Sequence, residues 1–383
     1  MSLRCYLDHN ATSPLADGVA AAVAGEVGAR CGNPASPHAE GRRARAAIER
    51  ARAEVAALAG AVPEEVVFTS GGSEANAAAL WGLVAGEGSL AGRDLLLSAV
   101  EHPAVRAMGE ELARFGVAVE TMPVQRSGLI DLAALAKALG RRPGATLAVQ
   151  LVNSETGVIQ PIEAVAELAQ RAGARLHCDA VQAAGKVALA ADAWGVSTLA
   201  IGGHKFGAPP GVGALVVRHA PFAALIPGSQ ERHRRGGTEN LPGIAGLAVA
   251  ARVALARLGD WGEVGALRDR LEREVLGRIP GTSVYGAAAP RVANTSCLGL
   301  PDGLKGGAAV AALDLEGFAV SAGPACSSGV ERGSPTVQAM GFDRAASGRT
   351  LRVSMGFGTG LDEIMAFVAA LERVTQRSKG GGT

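Results

Sequence analysis

The sequence predicts an α/β fold: a mainly parallel central sheet with helices on both faces, followed by a smaller α+β domain. Three observations carry this. Short apolar runs recur through the first two thirds of the chain, most of them separated by roughly 10–20 residues of helical pattern. Repeated βα units of that kind bury a parallel sheet between helices. The chain also holds 53 glycines, which suits many tight strand-to-helix turns. At 383 residues it has room for about two domains. We expect a large domain over 15–255 and a small one built from 1–14 and 256–383.

The elements follow in order. Ala44, Ile48, Ala51, Val55 and Leu58 are spaced as the buried stripe of one helix. Strands are expected at 66–69, 95–97, 117–119, 147–152, 175–178, 199–201 and 213–217, where apolar and β-branched residues cluster. After about residue 255 the pattern changes. Two long helical stretches, 244–257 and 264–278, precede shorter strands near 293–300 and 351–354. The Gly-rich tail from Ser378 is expected to be disordered.

Composition narrows the function. Lys and Arg number 37 against 36 Asp and Glu, so no general basic field favours nucleic acid or an anionic membrane. Aromatics are 3% of residues, too few for base-stacking platforms. No apolar run reaches the ~18–20 residues of a membrane span, and residues 1–9 lack the apolar core of a signal peptide. The five cysteines are odd in number, widely spread and without a C-x-x-C pair, which fits a reducing cytoplasm rather than a disulfide framework.

In parallel sheets ligands sit beyond the carboxyl ends of the strands. Three such places carry chemistry. Ser70-Gly71-Gly72-Ser73 follows a strand and opens a helix, which suits a phosphate on free N–H groups. Asp179 ends another strand, where a buried carboxylate needs a cationic partner. Lys205, one of only five lysines, follows a third strand in Gly202-Gly203-His204-Lys205, where lost hydration favours a neutral, nucleophilic amine. Together they suggest pyridoxal 5'-phosphate: Lys205 for its aldehyde, Asp179 for its ring nitrogen, Gly72 and Ser73 for its phosphate.

Further motifs stand around these: Tyr6-Leu7-Asp8-His9-Asn10-Ala11-Thr12, Gly32-Asn33-Pro34, Glu101-His102, Asn153-Ser154-Glu155-Thr156-Gly157, Arg235-Gly236-Gly237-Thr238 and Ala322-Gly323-Pro324-Ala325-Cys326-Ser327-Ser328. With them, nearly the whole chain resembles the cysteine desulfurases of the class V aminotransferase superfamily. The resemblance implies an aminotransferase-like, two-domain fold and a homodimer with composite sites. It implies that His102 stacks on the cofactor ring and handles protons, and that Gln182 meets the phenolic oxygen, beside Asn153 and Ser154. Ser73, His204 and the Thr238 of a second copy would hold the phosphate. Arg352 would bind the substrate carboxylate, with Asn33 nearby. The catalytic residues would be Lys205, His102 and Cys326.

Cys326 would set the reaction. Its surroundings are small and polar, unlike the strand settings of Cys178 and Cys297, and a thiolate there could take sulfur from L-cysteine as a persulfide, releasing L-alanine. The sulfur would pass to an acceptor protein, an iron–sulfur scaffold among the candidates. No metal is expected in the site. The rival readings are a selenocysteine lyase, another class V aminotransferase, or a non-catalytic sulfur carrier. Two positions depart from the resembled pattern: Ser154 stands for the usual Asn and Gly202 for the usual Ser. Each removes a polar contact, so looser cofactor retention is expected.

Overall fold

The computed structural model describes residues 4–29, 32–86, 88–218, 221–323 and 333–380. Its strands are β1 (Cys5–Tyr6), β2 (Val66–Thr69), β3 (Asp94–Ser98), β4 (Ala118–Met122), β5 (Thr146–Gln150), β6 (Arg175–Asp179), β7 (Thr198–Gly202), β8 (Gly213–Val217), β9 (Ser283–Val284), β10 (Thr295–Gly299), β11 (Phe318–Ala319) and β12 (Thr350–Ser354). Among the described residues the central sheet has seven strands in the order β2-β8-β7-β6-β5-β3-β4. The pairs from β7 through β4 are parallel, and β8 runs antiparallel to both β7 and β2. Every residue of β5, β7 and β8 is buried, which is why these strands read as unbroken apolar runs.

The predicted stripe from Ala44 to Leu58 lies on the helix Ala39–Ala59 and is buried along its length. His38 caps that helix by accepting from Gly41 N–H, and Gly60 ends it at φ 61. The strand expected at 117–119 starts one residue late, because Val117 N–H closes the preceding helix on Leu112 O. The C-terminal helix runs over Leu361–Gly380, so Ser378 to Gly380 are helical and not disordered as expected. The Ser378 hydroxyl donates to Thr375 O and continues the turn.

Past Asp260 a second group of elements packs around its own core. β12, β10 and β9 form an antiparallel sheet, and Leu271, Leu298, Val353 and Phe367 are buried against it. The N-terminal segment joins this core. β1 pairs with β11 in parallel, and Cys5 and Leu7 pack among the same residues. Among the described residues no single helix is long and apolar enough to cross a membrane; Leu241–Ala256 and Leu258–Arg278 meet both conditions only as a pair, and that pair is bent by 50°.

Candidate active site

The site is built from β6 outward. Asp179 is the last residue of β6 and is 5% exposed. Its Oδ2 accepts from Asn76 Nδ2 at 2.8 Å and its Oδ1 from Val181 N–H at 3.0 Å. Asn76 is in turn fixed by His177, whose Nε2 lies 2.9 Å from Asn76 Oδ1 and whose Nδ1 lies 2.9 Å from Thr198 Oγ1. Burial pushes the His177 pKa down to about 3, so the ring is a neutral hydrogen-bonding spacer. This chain of side chains, from β7 through β6 to the helix Gly72–Ala85, aims the Asp179 carboxylate. Burial raises its pKa, and His102, the two hydrogen bonds and Lys205 oppose that rise.

Lys205 stands one turn past β7. Its Nζ donates to the backbone oxygens of Asn10 and Ala11, both at 2.8 Å. His102 caps the helix Pro103–Arg114, with Nδ1 accepting from Ala104 N–H at 3.1 Å. In the neutral ring that bond leaves the proton on Nε2. Burial lowers the His102 pKa; Asp179 raises it, and Lys205 and Arg106 lower it again. The three groups thus act on one another at the carboxyl ends of β3, β6 and β7.

The turn after β2 is shaped to admit an anion. The helix Gly72–Ala85 begins there, and its first N–H groups have no acceptor within the helix. Gly72 is required by close approach: a Cβ would come within 2.5 Å of Val181 Cγ2. Arg235 closes one side by pairing with Glu74 at 2.9 Å, while Glu74 also accepts from Ser70 N–H at 2.8 Å. A lysine amine, a buried carboxylate and a helix N-terminus, following or ending β7, β6 and β2 on one edge of the sheet, are the donor set that pyridoxal phosphate needs, so the residues present fit it.

On the other side, Arg352 in β12 is 1% exposed. Its guanidinium donates to Asp8 Oδ1 at 2.7 Å and to Ser154 O at 3.2 Å, while its buried Nε has no hydrogen-bond partner among the described residues. Ser321 Oγ donates to Asp8 Oδ2 at 2.8 Å and Ser334 Oγ to Glu155 Oε2 at 2.6 Å. These contacts tie the described residues flanking 324–332 to Arg352 and to the Asn153–Thr156 turn. Cys326 lies outside the described residues.

The family described as Aminotransferase class-V matches residues 5–367. A cysteine desulfurase of Cereibacter sphaeroides is 41% identical over 378 residues, spanning 98% of this chain and 96% of that one. Cysteine desulfurase IscS of Dictyoglomus turgidum is 35% identical over 380 residues, spanning 98% and 96%. This chain belongs to the cysteine desulfurases of the class-V aminotransferase family. Among solved structures, the desulfurase chain superposes on a NifS-like protein with a TM-score of 0.89 at 28% identity, covering 98% of this chain and 100% of that chain. It superposes on SspA, solved in complex with cysteine, with a TM-score of 0.80 at 29% identity, covering 92% and 98%.

Within this desulfurase, the sequence-derived residues fall into three groups. Lys205, Asp179, His102, Gly72, Ser73, Gly202 and His204 lie together at the strand ends, with burial and Lys205 pushing the His204 pKa down to about 4. Asn153 and Gln182 are committed to protein partners. Asn153 Oδ1 accepts from the N–H groups of Glu155 and Thr156 and holds that turn, and Gln182 Nε2 donates to Asn10 O at 2.9 Å. Ser154 contributes its backbone oxygen to Asn10 and Arg352. Asn33 and Thr238 are exposed, and the Asn33 side chain accepts from Ala35 N–H within its own turn. Cys178 and Cys297 are fully buried in β6 and β10, and burial raises both thiol pKa values. Sequence reasoning passed over Asn10, Asn76, His177 and Lys186 as site-building residues. For Lys186 a signal existed: it stands in the small, apolar run 183–187, four residues after Gln182.

Proposed function

We propose that this desulfurase converts L-cysteine to L-alanine and keeps the sulfur as a persulfide on Cys326, using pyridoxal 5'-phosphate. The observation that carries this reading is that Lys205, Asp179 and His102 follow or end β7, β6 and β3 on the same edge of one sheet and act on one another there. Lys205 would hold the cofactor's aldehyde carbon, Asp179 its ring nitrogen, and Gly72, Ser73 and His204 its phosphate. When bound, the cofactor supplies an electron sink for the carbon that loses its proton. Arg352, whose buried Nε has no hydrogen-bond partner among the described residues, supports a role in binding the substrate carboxylate. Lys205 Nζ takes the substrate's α-proton, and His102, which carries its ring proton on Nε2, stands as a proton donor. The Cys326 thiolate attacks the substrate sulfur: the S–S bond forms, the carbon–sulfur bond breaks, and the pair left on carbon is protonated to give the methyl of alanine.

An acceptor protein then takes the sulfur, an iron–sulfur scaffold being the kind that fits. The working unit is a homodimer in which each Thr238 serves the other subunit's phosphate; the exposure of Thr238 and the Arg235–Glu74 tie support this. The division into 15–255 and 1–14 with 256–383 belongs to the same reading and is supported by the separate core that Cys5 and Leu7 share with Val353 and Phe367. The test is to incubate purified protein with L-cysteine and measure alanine and sulfide. Cys326→Ser should still bind pyridoxal phosphate at Lys205 yet release no alanine. Undiminished alanine from that variant would sink the persulfide route.

A further inference from the structure

Lys186 lies in the segment after β6 and is only 8% exposed. Its Nζ donates to Asn10 Oδ1 at 2.9 Å and to Gln182 Oε1 at 2.8 Å. Both acceptors are neutral amides, and no carboxylate pairs with it among the described residues. A lysine buried this way is uncommon. Burial, with Lys205 and Arg352 close by, holds its pKa well below the ordinary lysine range, which favours the neutral amine. A neutral amine has two N–H groups, and the two amide oxygens use both.

Asn10 joins this amine to the one that the proposed reaction needs. Its backbone oxygen accepts from Lys205 Nζ at 2.8 Å and from Gln182 Nε2 at 2.9 Å. Its Oδ1 accepts from Lys186 and from Asn294 Nδ2 at 3.0 Å, and its Nδ2 donates to Thr295 Oγ1 at 2.9 Å. The ends of a carboxamide are told apart only by what they meet. At Gln182 the amine of Lys186 meets the oxygen, so the N–H end is turned toward Asn10 and Lys205. The Asn10 carbonyl, which only accepts, selects the same sense from the other side; with a non-donor at 186 that contact alone would hold the amide.

We propose that Lys186 is a positioning residue for the desulfurase reaction: it fixes Gln182 as a hydrogen-bond donor on the Lys205 side and, through Asn10, holds the resting place of the Lys205 amine. This rests on the reading of Lys205 and Gln182 as cofactor residues. A cavity of about 460 Å³ is lined by His9, Lys186, Lys205, Asn294 and Trp261, so a small amine has space beside Lys186.

The test uses the full-length protein loaded with pyridoxal phosphate. Lys186→Ala should still carry the cofactor on Lys205, fixed by borohydride and found by peptide mapping. Its visible absorption maximum should shift, and its cofactor dissociation constant should rise about tenfold, the loss expected of one hydrogen bond to a charged group. Added ethylamine should restore both for Lys186→Ala but not for Lys186→Met, whose side chain fills the space without a donor. If Lys186→Ala keeps the parent's band and retention, or loses them in a way that no amine restores, Lys186 only fills space and the proposal fails. Should the alanine variant not fold, Lys186→Gln, which keeps a buried N–H, is read instead. It should show a shifted band and intermediate retention, and parental values would overturn the proposal. A parent protein that takes no cofactor on Lys205 would sink the earlier reading, and this one with it.

Discussion

At Gly202 the missing side chain is a matter of space as well as of lost polarity. A Cβ there would lie 3.0 Å from Val181 Cγ1 and 3.4 Å from Gly72 N. Val181 thus crowds a serine at 202, and its methyl would have to give by a few tenths of an ångström. Gly202→Ser alone should lower the thermal midpoint and fail to improve cofactor retention. Gly202→Ser with Val181→Ala should recover stability and bind pyridoxal phosphate more tightly than the parent, as read by dialysis. Equal retention by parent and double variant would show that the lost hydroxyl does not matter. Glu101 makes a second case. It is buried beside His102, its Oε1 accepting from Gln150 N–H at 2.7 Å. Burial, and then the field of Asp179, raise its pKa from 4.5 to about 8. A raised carboxyl pKa means that the folded state holds the proton more tightly than the unfolded chain does. Its contribution is therefore full at low pH and is lost as pH climbs through that window. Thermal midpoints between about pH 5 and pH 8 should fall more steeply for the parent than for Glu101→Gln. Parallel slopes would rule this titration out.

Elements explain why some of this was legible in the sequence and some was not. The central strands were, because strands covered on both faces must be apolar throughout, and 66–69 and 213–217 match β2 and β8 residue for residue. β1 and β11 were not. Two residues show no period, and their pairing, Cys5 with Phe318, is decided by a distant segment. The site divides in the same way. Lys205 and Asp179 were visible because a charge at a strand end stands out against its apolar run. Asn76 and His177 were not, because a polar side chain inside an apolar element declares itself only through a partner in space. One buried pair holds a loop to the sheet. Arg52, on the helix Ala39–Ala59, donates to both carboxylate oxygens of Glu231 at 2.7 and 2.9 Å, and Phe68 N–H in β2 donates to the same carboxylate at 2.9 Å. Glu231, Arg232 and His233 have φ values of 46°, 56° and 63°, the left-handed region that costs a non-glycine residue of order 1–3 kcal/mol. The pair pins one end of that strained turn. Arg52→Met should leave Glu231 buried without its cation and cost about 3–5 kcal/mol, measured by urea unfolding. A loss under about 1 kcal/mol would mean that the turn holds itself.

For the whole molecule, the proposed exchange of Thr238 between copies has a sharp consequence. Lys205→Ala subunits and Thr238→Ala subunits each carry one defect. In a mixed dimer one site gathers both defects and the other gathers none. Mixing the two under conditions that exchange subunits should therefore restore alanine formation to about a quarter of the parent's per total subunit, taking random exchange of equal amounts, half of it as mixed dimers. No gain above the unmixed variants would place Thr238 in its own subunit's site or in none. A different consequence follows from Asn10. Its backbone N–H donates to Ser354 Oγ across 344 positions of sequence, and its carbonyl cradles the amine of Lys205. On the ribosome, Lys205 emerges about 150 residues ahead of Ser354, and β8, which closes the sheet between β2 and β7, follows within a dozen residues. The bond from Asn10 to β12 must wait for that last strand. A nascent chain interrupted before β12 keeps its lysine but lacks the clasp over it. The hold of Asn10 over Lys205 is therefore completed only once β12 has been made.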